Sequence, residues 1–108
     1  MNIEFHMPHG RVAEKIVKAV RDKLISLYRS YKDISRAEVH FKEQGRTDRN
    51  KFCEIDLTIY GSSLSVQRSA GSFEQATGKT LRAITEKVNE QIARLHEPPD
   101  IITSTVKV

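Results

Sequence analysis

Hydrophobic and polar residues alternate with two different periods along this chain, and the switches between them mark out six elements. Asn2 to Met7 alternates with period two. Ile3, Phe5 and Met7 fall on one side and Asn2, Glu4 and His6 on the other, which predicts a short strand with one buried face. Pro8-His9-Gly10 breaks that strand and offers His9 or Gly10 as a helix N-cap. From Arg11 to Asp33 the period becomes helical. Val17, Val20, Leu24, Leu27 and Tyr31 form a stripe that Ala13 and Ile16 widen.

Ile34 to Glu43 alternates again, with Ala37, Val39 and Phe41 inward, and the polar stretch Gln44 to Asn50 reads as a hairpin loop. Lys51 to Tyr60 is the clearest strand, with Cys53, Ile55, Leu57 and Ile59 inward and Glu54, Asp56 and Thr58 outward. Gly61-Ser62-Ser63 predicts a turn, and Leu64 to Ala70 a fourth, weaker strand. Ser72-Phe73-Glu74-Gln75 has the capping-box pattern that opens a second helix. Its stripe is Leu81, Ile84, Val88, Ile92 and Leu95, with Thr77 and Thr85 beside it. Gly78 weakens the first turns by about 1 kcal/mol relative to Ala, and Pro98-Pro99 stops the helix.

The order is therefore β-α-β-β-β-α. A helical crossover makes the first two strands parallel where they are neighbours, and the two short connections add antiparallel strands. Because the strands alternate, only one sheet face needs covering. The expected class is α+β: a two-layer sandwich with a four-stranded mixed sheet and both helices on one face. Residues 1–97 make one domain. Residues 98–108 are expected to be a flexible tail or an added edge strand.

Charge sharpens this picture. The net charge is +4 with a pI near 9.4, which suits a polyanionic partner, although charge of that size also serves solubility. Between Arg11 and Lys32 seven bases face two acids, so all the net positive charge lies on the first helix. Arg11, Lys15, Lys18 and Arg29 point away from Val20, whereas Lys23 lies near the core side. On the second helix Lys79 and Arg82 give the first turns an excess of positive charge. Further along, Arg82–Glu86 and Glu90–Arg94 stand at i, i+4 and are expected to neutralise each other. The hairpin from Lys42 to Lys51, with Arg46 and Arg49, forms a second small basic site. No run is long enough to span a bilayer and no secretory signal is visible. The lone Cys53 suits a reducing compartment, so the cytoplasm is expected and a membrane partner is not.

Catalytic patterns fail on inspection. Gly78-Lys79-Thr80 resembles the end of a phosphate-binding loop, but Phe73 stands where that pattern needs glycine, and the triplet lies inside a helix. His6, His9, His40 and His96 are scattered. His6 and His40 lie on outward faces of strands that are candidates to be neighbours, yet no ligand spacing is recognisable, so no metal site is expected. Cys53 has the inward phase of a small inert hydrophobe. Glu54 and Asp56 read as a solvated face. Aromatic residues are too few for a single-strand stacking platform, so contact with structured RNA through shape and charge fits better. No enzyme, cofactor or small-molecule substrate is indicated.

The element order and several residues resemble the ribosome hibernation-promoting factors, also called ribosome-associated inhibitor or sigma-modulation proteins, in their short form. Lys23-Leu24, then Leu27, Tyr31, Ile34, Val39 and Lys42 follow that family's spacing. Glu86-Lys87-Val88-Asn89-Glu90-Gln91-Ile92 is similar to its acidic-Lys-apolar-x-x-Gln-apolar run. The pattern spans most of Ile3 to Glu97. It departs at Pro8-His9-Gly10, where the family usually has a Thr- or Asp-type cap, and at Gly78 to Arg82, where a base replaces an acid.

The resemblance implies binding to the small ribosomal subunit in the channel used by messenger and transfer RNA. Basic faces of both helices would contact ribosomal RNA there, silencing and protecting idle ribosomes. It carries over Lys23 and Lys87 by position; Arg11, Lys15, Lys18, Arg21, Arg29, Lys79 and Arg82 are nominated on charge and phase. A monomer is expected, without the long-form dimerisation module. The rival readings are a module for another structured RNA, a protein-interaction module using an exposed sheet face or edge strand, and a small enzyme with a spatially assembled site.

Overall fold

The alternation that predicts the strands is the alternation that buries them. In the computed structural model, which describes residues 1–7 and 12–96 and the side chains up to Arg94, the elements are β1 (Asn2–His6), α1 (Glu14–Ser30), β2 (Ile34–Glu43), β3 (Lys51–Ile59), β4 (Ser62–Ala70) and α2 (Phe73–His96). The sheet order is β1-β2-β3-β4, with β1 parallel to β2 and the other pairs antiparallel. Both helices pack on the face presented by Ala37, Val39, Phe41, Cys53, Ile55, Leu57, Ile59 and Val66, which are all buried. The α+β sandwich read from the sequence is the fold. The proposed caps at His9 and Gly10, together with Arg11, His96 and the tail 98–108, lie outside the described residues and side chains.

Several local expectations change. Helix α1 is shorter than Arg11 to Asp33: Tyr31 leaves helical geometry at φ −132°, and its N–H caps the Leu27 carbonyl. Its hydroxyl donates to Asn89 Oδ1 at 2.6 Å, tying the end of α1 to α2. Ile34 and Ala37 are both buried although three residues apart, because the β2–β3 register shifts between Ile34 and Arg36. Strand β4 begins at Ser62 rather than Leu64. The connection is a two-residue turn with Tyr60 at φ 52° and Gly61 at φ 78°, the geometry that matches the twist of a hairpin, so Ser62 and Ser63 already pair with β3. Tyr60 adopts a conformation that L residues avoid, and its hydroxyl is fastened to Asp33 Oδ2 at 2.5 Å.

Helix α2 starts as expected, with Ser72 Oγ accepting the Gln75 N–H at 3.2 Å. Its buried stripe, however, is Ala76, Thr80, Ile84 and Val88, with Leu81 and Ile92 half-buried at its margins; the Leu95 side chain is not among those described. A fully buried threonine is tolerable because Thr80 Oγ1 lies 2.9 Å from the carbonyl oxygens of both Cys53 and Ala76. Thr77 Oγ1 has no comparable partner. The polar character of this face hid it from a count of hydrophobic residues.

Cys53 sits under these two threonines. Burial pushes its thiol from 9.0 up to about 11, and the hydroxyls of Thr77 and Thr80 oppose this only in part. The unfolded chain releases that proton near pH 9, whereas the folded chain holds it to about pH 11. The stabilisation is therefore complete below pH 9 and is lost as pH rises through the folded value, a difference on the order of 2–3 kcal/mol. Denaturant unfolding across that window is expected to show a steeper fall for the wild type than for Cys53→Ala. Parallel curves would contradict the assignment.

Candidate nucleic-acid interface

The two helices run in the same direction across the sheet. Near their starts Lys15, Ile16 and Ala19 of α1 border the same groove as Glu74, Thr77 and Gly78 of α2, and near their ends Tyr31 reaches Asn89. Both N-termini therefore lie at one end of the sandwich, where the partial positive charges of the two helix dipoles reinforce each other. The β2–β3 hairpin arrives at the same end. The Asp48 carbonyl lies so close to Gly71 that a Cβ there would sit 3.2 Å from it, which explains the glycine. A cleft of about 650 Å³ is lined by Arg49, Lys79 and Arg82, with Glu74 and Gln75 on its wall. A second groove, at the start of α1, is lined by Lys15, Lys18 and Arg21 and by the acids Glu14 and Asp22, together with Met7, Val12 and Val17.

Among the described residues, these side chains differ in how far they are already engaged. Lys18 pairs with Asp22 at 2.9 Å, and the Arg21 guanidinium lies 5.2 Å from the centre of the Phe5 ring. Lys15, Lys79, Arg82 and Arg49 form no ion pair or hydrogen bond among the described residues. Contrary to the expectation of self-neutralisation, neither Arg82–Glu86 nor Glu90–Arg94 closes to within 4.0 Å. At such exposed positions the small gain from pairing does not offset the lost side-chain freedom. The charge of α2 remains available.

Of the residues nominated from sequence, the structure brings Lys15, Lys18, Arg21, Lys79 and Arg82 to this positive end. Lys23, Arg29 and Lys87 are exposed further along the helices, and Arg11 is outside the described residues. Sequence reading left Arg49 out of the main set; the excess of bases in its hairpin was the available signal. The far side of the sheet has the opposite balance, with Glu4, Glu38, Glu54 and Asp56 on its surface against Arg36 and Lys42. The molecule is polarised across its two layers.

Gly78 borders both the α2 cleft and the interhelical groove. A Cβ there meets no atom within 4 Å, so the glycine is not required by packing. Gly78→Ala is expected to stabilise the fold by about 1 kcal/mol through helix propensity. A raised urea midpoint would confirm this, and a lowered one would show that the grooves are narrower than described.

Two layers, parallel helices on a β1-β2-β3-β4 sheet and a basic end define the class, an α+β sandwich. No protein-family model and no curated protein matches the chain. Solved structures do match. The chain is similar to a ribosomal subunit interface protein from Coxiella burnetii, with a TM-score of 0.72 and 13% identity over 86% of this chain and 99% of that one. It is also similar to the N-terminal domain of Protein Y from Thermus thermophilus, with a TM-score of 0.62 and 18% identity over 83% of this chain and 94% of that one. At these identities the likeness establishes the fold, and it is the fold implied by the resemblance to the hibernation-promoting factors.

Proposed function

We propose that this protein is a non-enzymatic regulator of translation that docks on the small ribosomal subunit through the basic end of its helical layer. The supporting observation is the gathering of Lys15, Lys18, Arg21, Arg49, Lys79 and Arg82 at one end, on the side opposite the acidic sheet face. Lys23, Arg29 and Lys87 extend that contact along the helices. The bases hold RNA phosphates by charge, and the aligned helix N-termini add to the potential. Occupying the path of messenger and transfer RNA would silence an idle ribosome without chemistry. The fold shared with a ribosomal subunit interface protein adds support.

Purified small subunits are expected to carry the protein through a sucrose cushion at low salt. Binding by six to ten phosphate contacts should weaken by about 10³-fold or more between roughly 50 and 200 mM salt. Protein that stays in the supernatant at low salt would refute the reading. Equal retention on an unrelated structured RNA would reassign the partner.

A further inference from the structure

The sheet face away from the helices carries a lattice of side chains that ribosome docking does not use. Strand register builds it: His6 lies opposite His40, and His40 opposite Glu54. One row along, Glu4 lies opposite Glu38, and Glu38 opposite Asp56. Three carboxylates in directly adjacent positions repel one another and need a cation. Arg36 meets part of that need, with one guanidinium nitrogen 3.2 Å from Glu4 Oε2 and 3.2 Å from Glu38 Oε2. It thereby fixes Glu38 with the other oxygen turned toward the histidines.

Glu38 Oε1 lies 3.4 Å from His6 Nε2 and 3.6 Å from His40 Nε2. Asp56 Oδ2 approaches the same His40 nitrogen at 3.3 Å. The two imidazole rings are stacked with centroids 4.4 Å apart and planes within 8°. Nitrogen and oxygen ligands at 2.0–2.2 Å around a tetrahedral ion stand about 3.3–3.5 Å from each other. The two Glu38–histidine separations are at that edge length or within a few tenths of an ångström of it, and both stacked rings must rotate about their side-chain bonds to aim their nitrogens at one ion.

We propose that His6, Glu38 and His40 bind one divalent transition-metal ion of the zinc class, with water completing the shell. Two ligands at i and i+2 on β2 and a third at the facing position on β1 form a rigid triangle, because the strand ladder fixes all three Cα atoms. The donor set of two imidazoles and one carboxylate selects zinc, cobalt, nickel or copper over magnesium or calcium, which prefer oxygen alone. Binding neutralises part of the acidic row. The ion would join β1, the strand at the sheet edge, to β2.

The experiment is a titration of tag-free, chelator-treated protein with Co²⁺, followed by displacement with Zn²⁺. One equivalent is expected to give a saturable d–d absorption of tetrahedral intensity that Zn²⁺ abolishes and Mg²⁺ leaves in place. His6→Ala and His40→Ala are each expected to weaken binding at least about a hundredfold, and Arg36→Gln about tenfold through loss of orientation. His9→Ala with His96→Ala should leave binding unchanged. Circular dichroism identifies any variant that fails to fold, and His6→Asn, at the exposed edge, replaces it. No saturable cobalt spectrum, equal displacement by Mg²⁺, or undiminished binding in the folded His6→Ala/His40→Ala double variant would each overturn the site. None of these readouts involves the ribosome.

Discussion

Lys79→Glu combined with Arg82→Glu is expected to lower affinity for the small subunit at least about a hundredfold at low salt, while the fold remains intact. Both side chains line the α2 cleft beside Arg49, and neither is held by an acid within the described structure. Each charge-assisted contact to a phosphate contributes about 1.5–3 kcal/mol, so losing two and adding repulsion makes a hundredfold loss a lower bound. The cost to folding is small: both positions are exposed, and a glutamate at 82 meets Glu86 as a like-charge i, i+4 neighbour worth a few tenths of a kcal/mol. The slope of log affinity against log salt should also shrink by about two contacts. The control is Lys32→Glu with Arg94→Glu, an equal change of net charge at the other end of the helices. It is expected to cost less than about tenfold. Equal losses in both variants would mean that overall charge acts rather than this cleft, and full retention in the first would remove the cleft from the interface.

The sequence disclosed the fold more completely than the interface, for physical reasons. Strand periodicity is strict: Cys53, Ile55, Leu57 and Ile59 alternate without exception, and all four are buried. Helix α2 was harder to read, because half of its buried i, i+4 row is Ala76 and Thr80, which a hydrophobicity count discounts. The sequence pattern starts β4 two residues late, since a turn that opens on a tyrosine in left-handed geometry has no compositional signature. The basic end was legible only in pieces. Lys15 and Lys79 are far apart in the chain, and only the parallel run of the helices brings their ends together. The sheet lattice was least legible. Glu38 and His40 share a strand face at two-residue spacing, but the third ligand, His6, depends on β1 pairing in register with β2. No spacing rule along one segment captures that arrangement.

The largest stability loss is expected from Phe41→Ala, on the order of 3–5 kcal/mol. Phe41 is 2% exposed on β2, opposite Cys53, and it meets Phe73 edge-to-face with ring centroids 5.8 Å apart and planes at 89°. Phe73 is the first residue of α2, next to the Ser72 cap, so this pair pins the start of the helix that carries Lys79 and Arg82. Truncation removes the transferred apolar area and leaves a cavity framed by two strands and a capped helix end, neither of which relaxes easily. Against a typical stability of about 5–15 kcal/mol the change is a large fraction, and the melting temperature should fall by at least about 12 °C. Phe41→Leu, which keeps most of the volume, should cost roughly 1–2 kcal/mol. A double-mutant cycle with Phe73→Ala is expected to show a coupling of about 0.5–1.5 kcal/mol from the aromatic contact. A loss below about 1.5 kcal/mol for Phe41→Ala would show that the α2 end collapses onto the sheet, and that the basic cleft is not held rigidly by this pair.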